Sequence, residues 1–332
     1  MRVLVTGATG FTGGHLTRWL AARGDRVRVL VRRPPGSDPG RSATHFGVAQ
    51  VEVISGDLTD ANAVKQATDG VDVVYHIAAI YRQAGLREEQ YRAVNATAVR
   101  TIIEAAKAGG AKRVVHCSTV GVHGDVEHPP ANEDAPLRPG DIYQETKLEG
   151  ENIARAAARE TRMEVVIARP TGIYGPGDRR LLKLFRGVAR RRFVILGNGE
   201  IFYHLTYIDD LVAGLYLCAT VAAAAGRTYI LAGGEVTTLN QLAELIAEEA
   251  HVPPPRWHLP VWPFWFAGAI CEAACRPLRV EPPIYRRRVD FFTKSRAFDI
   301  SRARAELGYA PAVGLREGIR RTLDWYRREG WL

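Results

Sequence analysis

Cysteine is scarce in these 332 residues: Cys117, Cys218, Cys271 and Cys275 are the four, too few for a disulfide scaffold. Cys271 and Cys275 stand four apart on a helical pattern and are poorly placed to pair, so reduced thiols and a cytoplasmic setting are expected. Long apolar runs are missing as well. The longest uncharged stretch, Trp257 to Cys271, has fifteen residues with Pro260 and Pro263 inside it, short of the ~20 that a membrane-spanning helix needs. Contact with a membrane surface through 257–271 is the expectation this leaves. From Arg2 the chain enters a strand-like Val-Leu-Val with no apolar leader before it, so no export is expected. Apart from Ala222 to Ala225 there is no low-complexity segment. With 46% hydrophobic and 24% charged residues, disorder and collagen-like repeats are excluded and a large globular core is affordable.

Net charge is +9, which raises nucleic acid as a partner. The densest basic stretch, Arg179 to Arg192, argues against it. Its cations are spaced by Leu181, Leu182, Leu184, Phe185 and Val188, the pattern of an amphipathic helix with a solvated outer face. An anionic ligand or lipid is the alternative there and at Arg286 to Arg288. A small-molecule substrate is expected, with no nucleic acid and no metal.

Short runs rich in valine, isoleucine and leucine recur through the first half: Val3–Thr6, Val27–Val31, Val51–Ile54, Val71–His76, Val114–Ser118 and Val165–Ala168. Such runs read as parallel strands buried on both faces. Between the fourth and fifth, Tyr91, Val94, Ala98, Ile102 and Ala105 are spaced for a crossover helix that Gly109 ends. The predicted fold is therefore α/β: a doubly wound parallel sheet over residues 1–170, which later segments can extend, and a smaller substrate lobe over 171–332. Leu315, Ile319, Leu323 and Tyr326 predict a terminal amphipathic helix that packs back on the body.

The first strand runs into Thr6-Gly7-Ala8-Thr9-Gly10-Phe11-Thr12-Gly13 and then a helix. Glycines at that spacing permit a tight turn and close approach of a pyrophosphate, which sits where helix N–H groups are free. The second strand ends in Arg32-Arg33 with no acid. Guanidinium pairs well with phosphate, so NADP is favoured over NAD, which stays open. Asp57 and Leu58 follow the third strand as expected adenine contacts, or Asp57 only caps the next helix.

Tyr143 and Lys147 are four apart and share a helix face. A positioned ammonium favours the phenolate and so tunes a tyrosine for proton transfer. Ser118 and Thr119 end the fifth strand as hydroxyl donors.

TGATGFTG, GDL, HIAA, the hydroxyls before Val122-His123-Gly124, YxxxK and RPTGIYGPGD stand in the order found in the extended short-chain dehydrogenase/reductase family, the epimerase/dehydratase group, which this sequence resembles over nearly its whole length. The 3β-hydroxysteroid dehydrogenase-like and dihydroflavonol reductase-like branch is the most similar in feel. The resemblance implies a Rossmann fold and a reaction in which Tyr143 transfers a proton at the substrate oxygen. Thr119, with Ser118 beside it, would bond that oxygen, and Lys147 would hold the nicotinamide ribose. It further implies that Ala78 and Ala79 border the cofactor, that Asn95 supports the network, and that Pro170 and Ile173 lie along the nicotinamide. Ile80, Tyr81, Thr171, Gly172 and Tyr203 would meet substrate. His123 replaces the family's usual tyrosine and is read as a packing residue. A homodimer through the helix that carries YxxxK is expected.

Nucleotide-sugar members of the family have an asparagine where this sequence has Gly172, and an Arg-Asp pair where it reads Tyr203-His204. Loss of both diphosphate anchors favours a hydrophobic, steroid-like or polycyclic alcohol or ketone. Arg179, Arg180 or Arg286 to Arg288 could substitute, which keeps a nucleotide-sugar 4-epimerase or dehydratase with retained NAD as the alternative. Trp257, Trp262, Phe264, Trp265, Phe266 and Ile270 suit a flat apolar substrate, an interfacial contact, or ordinary lobe core.

Overall fold

The computed structural model describes residues 1–32, 51–83, 85–278 and 286–332. Its centre is a seven-stranded parallel sheet. Six strands fall where the apolar runs predict them: β1 (Arg2–Thr6), β2 (Arg26–Val31), β3 (Val51–Ser55), β4 (Val73–His76), β5 (Arg113–Cys117) and β6 (Glu164–Pro170). With β7 (Gly172–Tyr174), β8 (Ile195–Leu196), β9 (Phe202–Tyr207), β10 (Thr228–Leu231), β11 (Val236–Thr238) and β12 (His258–Leu259) numbered in turn, the large sheet runs β10-β6-β5-β4-β1-β2-β3. The order reverses between β1 and β4, and a doubly wound sheet opens its ligand crevice at the carboxyl ends flanking that point. The seventh strand, β10, comes from the second half of the chain, as the expected extension of the sheet allows.

Alternation along each strand feeds two cores. On β1, Val3 and Val5 join Leu16, Leu20 and Leu211 on one face, whereas Leu4 meets Val64, Ile102 and Ile103 on the other. The first face is covered by α1 (Phe11–Ala22) and a later helix, Ile208–Thr220. The second is covered by α2 (Ala61–Thr68), then α3 (Glu88–Arg92) continued through a single π turn (Ala93–Thr97) into α4 (Ala98–Ala108), and α5 (Ile142–Thr161). Gly150 makes the last packing possible: a Cβ there would stand 2.4 Å from the Asn95 carbonyl oxygen, so α5 can lie against the π turn only as glycine.

The remaining helices are α6 (Leu182–Ala189), α7 (Ile208–Thr220), α8 (Leu239–Ala250), α9 (Trp262–Leu278), α10 (Arg286–Thr293), α11 (Ser301–Leu307) and α12 (Leu315–Arg328). The terminal helix α12 buries Leu315, Ile319, Leu323 and Tyr326 against α8, and the Tyr326 hydroxyl donates to the Asp178 carbonyl at 2.7 Å. In the basic stretch, Leu184, Phe185 and Val188 are buried as expected, but the helix is shorter than 179–192. Arg179 and Arg180 precede it: Arg179 lies over the Trp331 ring at 4.9 Å, and Arg180 turns inward. Asp178 fixes the turn ahead of the helix, where its carboxylate accepts from the backbone N–H groups of Arg180 and Leu181.

The aromatic segment is not lobe core. Trp257, Trp262 and Ile270 are 73%, 66% and 69% exposed, with Phe264, Trp265 and Phe266 exposed beside them. Among the described residues, no helix is long and apolar enough to cross a membrane. The side chains of Arg286 to Arg288 lie outside the described residues.

Candidate active site

A cavity of about 660 Å³ opens along the carboxyl ends of the central strands. At one end the glycine turn closes tightly. Gly7 has φ +73, and a Cβ on Gly13 would fall 2.2 Å from the Gly7 carbonyl oxygen, so the backbone lies closer than any side chain permits. Gly10 is the N-cap of α1 and brings no side chain to that role. The opening N–H groups of the helix are thus left for an anion. Thr9, Gly10, Phe11, Thr12 and Gly13 all line the cavity, which is the arrangement a dinucleotide pyrophosphate requires.

Farther along this wall stand Arg32, Asp57 and Leu58. Asp57 does not cap the next helix; Asp60 does, accepting from the N–H groups of Asn62 and Ala63. The Asp57 carboxylate instead accepts from Thr59 through its N–H (2.9 Å) and hydroxyl (2.7 Å). Burial raises its pKa, and these bonds together with Arg32 outweigh burial and hold it below the usual carboxylate range. Arg33 lies outside the described residues.

The middle of the cavity brings β4, β5 and α5 together. Ala78, Ala79, Ile80 and Tyr81 follow β4, Ser118 and Thr119 follow β5, and Tyr143 sits on the first turn of α5. Pro170, Thr171, Gly172 and Ile173 form the facing wall with Tyr203. Thr119 is the more accessible of the two hydroxyl residues, and its oxygen accepts from the Gly121 N–H at 3.0 Å, which leaves its proton to donate. Ser118 is buried. The Thr171 hydroxyl is engaged with Thr206 at 2.5 Å, so the residue lines the wall with its polar group turned to the protein.

Asn95 does not line the cavity. Its side-chain oxygen accepts from the Ile80 N–H at 2.8 Å, and its amide nitrogen donates to the Ile80 carbonyl (3.1 Å) and to Thr146 (3.1 Å). It clamps the loop after β4 that presents Tyr81 to the helix that presents Tyr143. Lys147 is fully buried and donates to the Cys117 carbonyl at 2.7 Å.

Tyr143 packs edge-on against Tyr81, ring centroids 4.9 Å apart. Burial raises its pKa, so the phenol is held protonated; the charges that oppose this are Arg180 and Arg82. Arg82 has φ +36, a strained region for a side-chain-bearing residue, and is held by an ion pair with Asp141 at 2.8 Å. The sequence offers Arg180 both as part of a solvated helix face and as a substitute phosphate anchor, and does not single out Arg82. The signal for Arg82 was adjacency to Tyr81; nothing local marks Arg180 as inward.

Glu151 was missed as well, although it continues the Tyr143 and Lys147 spacing by one more turn. It is fully buried and accepts from Arg169 Nε (2.9 Å) and Nη2 (2.7 Å). Burial raises its pKa, and the Arg169 bonds, with help from Ser118, bring it below the ordinary value. Arg169 Nη1 also donates to the Glu133 carbonyl and to His123 Nε2. His123 Nδ1 lies 3.3 Å from the Pro136 carbonyl. Burial first, then Arg169, lowers the His123 pKa to about 4. The ring is a neutral packing group behind the cavity.

The two positions at which nucleotide-sugar members hold a diphosphate both line the cavity but carry no such anchor here. A Cβ on Gly172 would meet the Leu205 side chain at 2.8 Å. His204 spends both ring nitrogens on backbone, Nε2 on the Gly233 carbonyl (2.8 Å) and Nδ1 on the Phe298 N–H (3.3 Å), and burial lowers its pKa. The cavity's aromatic lining comes from Phe291 and Phe298 with Tyr81 and Tyr203; the exposed rings of 257–271 take no part in it.

Comparison with known proteins places this arrangement. The model of the NAD dependent epimerase/dehydratase family matches residues 3–232. The 2-alkyl-3-oxoalkanoate reductase of Stenotrophomonas maltophilia is 31% identical, over 97% of this chain and 98% of its own. Sterol demethylase protein B of Methylococcus capsulatus is also 31% identical, over the full length of both. Among solved structures, DesIV, the dTDP-glucose 4,6-dehydratase of Streptomyces venezuelae with NAD and TYD bound, superposes with a TM-score of 0.78 at 26% identity, over 100% of this chain and 98% of that one. A glycine turn built for a dinucleotide, a Tyr-Lys helix beside it and a family match across the whole central sheet lead to one assignment: the chain is an NAD(P)-dependent enzyme of the extended short-chain type and belongs to the NAD dependent epimerase/dehydratase family.

Proposed function

We propose that the enzyme is a dehydrogenase or reductase of a secondary alcohol or ketone on a hydrophobic, steroid-like or polycyclic substrate, with NADP preferred. The observation that carries this is His204, locked between two backbone groups where a diphosphate would need a cation. A buried diphosphate without paired cations is costly, whereas the aromatic and aliphatic lining here suits an apolar body. Relatives named for sterols and for oxoalkanoates support the same substrate character.

Thr9 to Gly13 would hold the pyrophosphate, Asp57 and Leu58 the adenine end, and Arg32 a 2′-phosphate; when bound, the dinucleotide supplies or accepts hydride. Tyr143 donates its phenolic proton to the substrate oxygen as the carbonyl carbon is reduced, and recovers a proton from solvent afterwards. Burial keeps that proton in place at neutral pH. Thr119 donates to the same oxygen, and Asn95 fixes the loop after β4 and the helix that carry two sides of the pocket.

A second reading, a nucleotide-sugar 4-epimerase or dehydratase with retained NAD, is favoured by the cations that line the cavity: Arg82, Arg180, Lys294 and Arg296 could meet a phosphate. Mass spectrometry of the small molecules released on denaturing fresh protein separates the two. An empty site or freely exchanging NADP, followed by NADPH-dependent reduction of apolar ketones, supports the dehydrogenase; tightly held NAD with turnover of a nucleotide sugar overturns it.

A further inference from the structure

Helix α9 is inverted. On an ordinary surface helix the bulky apolar side chains face the body and small or polar ones face water. Among the described residues of α9, Gly268 is the buried one, while Trp262, Trp265, Phe266 and Ile270, at i, i+3, i+4 and i+8, form an exposed stripe. The rings touch one another, Trp265 with Phe266 at 5.3 Å and Trp262 with Phe266 at 6.3 Å. Trp257 and Leu259 extend the patch beyond the helix. A contiguous exposed surface of this kind marks an interaction site.

Charge and composition select the occupant. No acidic residue occurs between Glu249 and Glu272, and residues 256–288 carry six arginines against two glutamates. Three of the six tryptophans fall within 257–265, and tryptophan, with an apolar ring and one polar N–H, prefers the headgroup level of a bilayer. Cations near it in the sequence, of which Arg256 is described and exposed, attract anionic lipid. The helix is too short to span, and it packs against α10, from which Asp290 and Phe291 reach the cavity wall.

We propose that the exposed stripe of α9, together with Trp257 and Leu259, docks the enzyme on an anionic membrane surface and brings the cavity mouth to the lipid. Docking is read without turnover, so it stands or falls separately from the substrate assignment above.

The full chain is mixed with vesicles of equimolar phosphatidylcholine and phosphatidylglycerol and sedimented, with tryptophan emission recorded in parallel. The expected result is co-sedimentation, a blue shift, weaker binding to phosphatidylcholine alone and loss of binding at high salt. The triple variant Trp262→Gln, Trp265→Gln, Phe266→Gln is expected to lose partitioning by about tenfold or more while keeping its circular dichroism. Should it melt early, Trp262→Gln alone carries the same readout. Wild-type protein that stays in the supernatant overturns the proposal. So does a wild-type dimer that the triple variant converts to monomer, because a second copy of the chain then covers the stripe.

Discussion

Glu151 and Arg169 face each other through two hydrogen bonds of 2.9 and 2.7 Å, with neither side chain more than 2% exposed. The pair ties α5, which carries Tyr143 and Lys147, to the end of β6, which leads into Pro170 and Ile173. It therefore sets the distance between two walls of the cavity without lining it.

Breaking that pair from one side strands a buried charge. Glu151→Leu is expected to cost about 3–5 kcal/mol, seen as a lowered urea midpoint. Glu151→Leu combined with Arg169→Met is expected to cost clearly less than the two single changes summed. Additive losses would show that the pair does not act as a unit.

Tyr143→Phe removes the transferable proton and leaves the ring. Turnover is expected to fall by about 10²–10⁴-fold, while NADPH binding, followed by its fluorescence, changes less than about twofold. A variant of undiminished activity would remove Tyr143 from the chemistry.

Gly13→Ala places a methyl 2.2 Å from the Gly7 carbonyl oxygen. The turn has to open, and dinucleotide affinity is expected to drop by at least about tenfold in calorimetry. Gly150→Ala, which meets the Asn95 carbonyl at 2.4 Å, is expected to lower the melting temperature and displace Asn95 from Ile80.

Arg32→Ala tests the cofactor preference. Loss of one guanidinium–phosphate contact is expected to weaken NADP by about tenfold, or 1.4 kcal/mol, with NAD little changed. Equal losses for both would assign Arg32 no part in discrimination.

Acid stability follows from the buried histidines. Burial, then Lys147, lowers His76 from 6.5 to about 3, and burial lowers His116 in the same direction. A depressed folded pKa contributes stability that is complete above the unfolded value and is lost as pH falls. The urea midpoint is therefore expected to be flat from pH 8 to about 7 and to decline from about 6.5 toward 3, each such group adding up to about 1.4 kcal/mol per pH unit. His76→Gln is expected to flatten that decline.

The strands, the glycine turn and the helix that carries Tyr143 and Lys147 were legible in the sequence because each is a local regularity: an apolar run buried on both faces, a spacing of glycines, a repeat of four; that Tyr143 lines the cavity while Lys147 is buried on the Cys117 carbonyl was not. Thr119, Tyr143 and the residues from Gly7 to Gly13 meet in one cavity because parallel strands deliver their following loops to the same sheet edge. Asn95, by contrast, supports the site from behind, which depends on Gly150 admitting α5 to the π turn.

What local pattern could not decide is which way a side chain faces when its helix is short or its environment is not water. Arg180 reads as one cation among seven, but the helix begins only at Leu182, and Asp178 holds Arg180 in the turn before it, where it lines the cavity. The aromatic stretch 257–271 reads equally as core or surface, because hydrophobicity alone does not say what it packs against. Only the tertiary structure shows Gly268 inside and the tryptophans outside. The sequence by itself determined the strands, the glycine turn and the helix that carries Tyr143 and Lys147, all set by interactions within a few residues; the charges that line the cavity, the locked His204 and the exposed face of α9 were decided by contacts between segments distant in the chain.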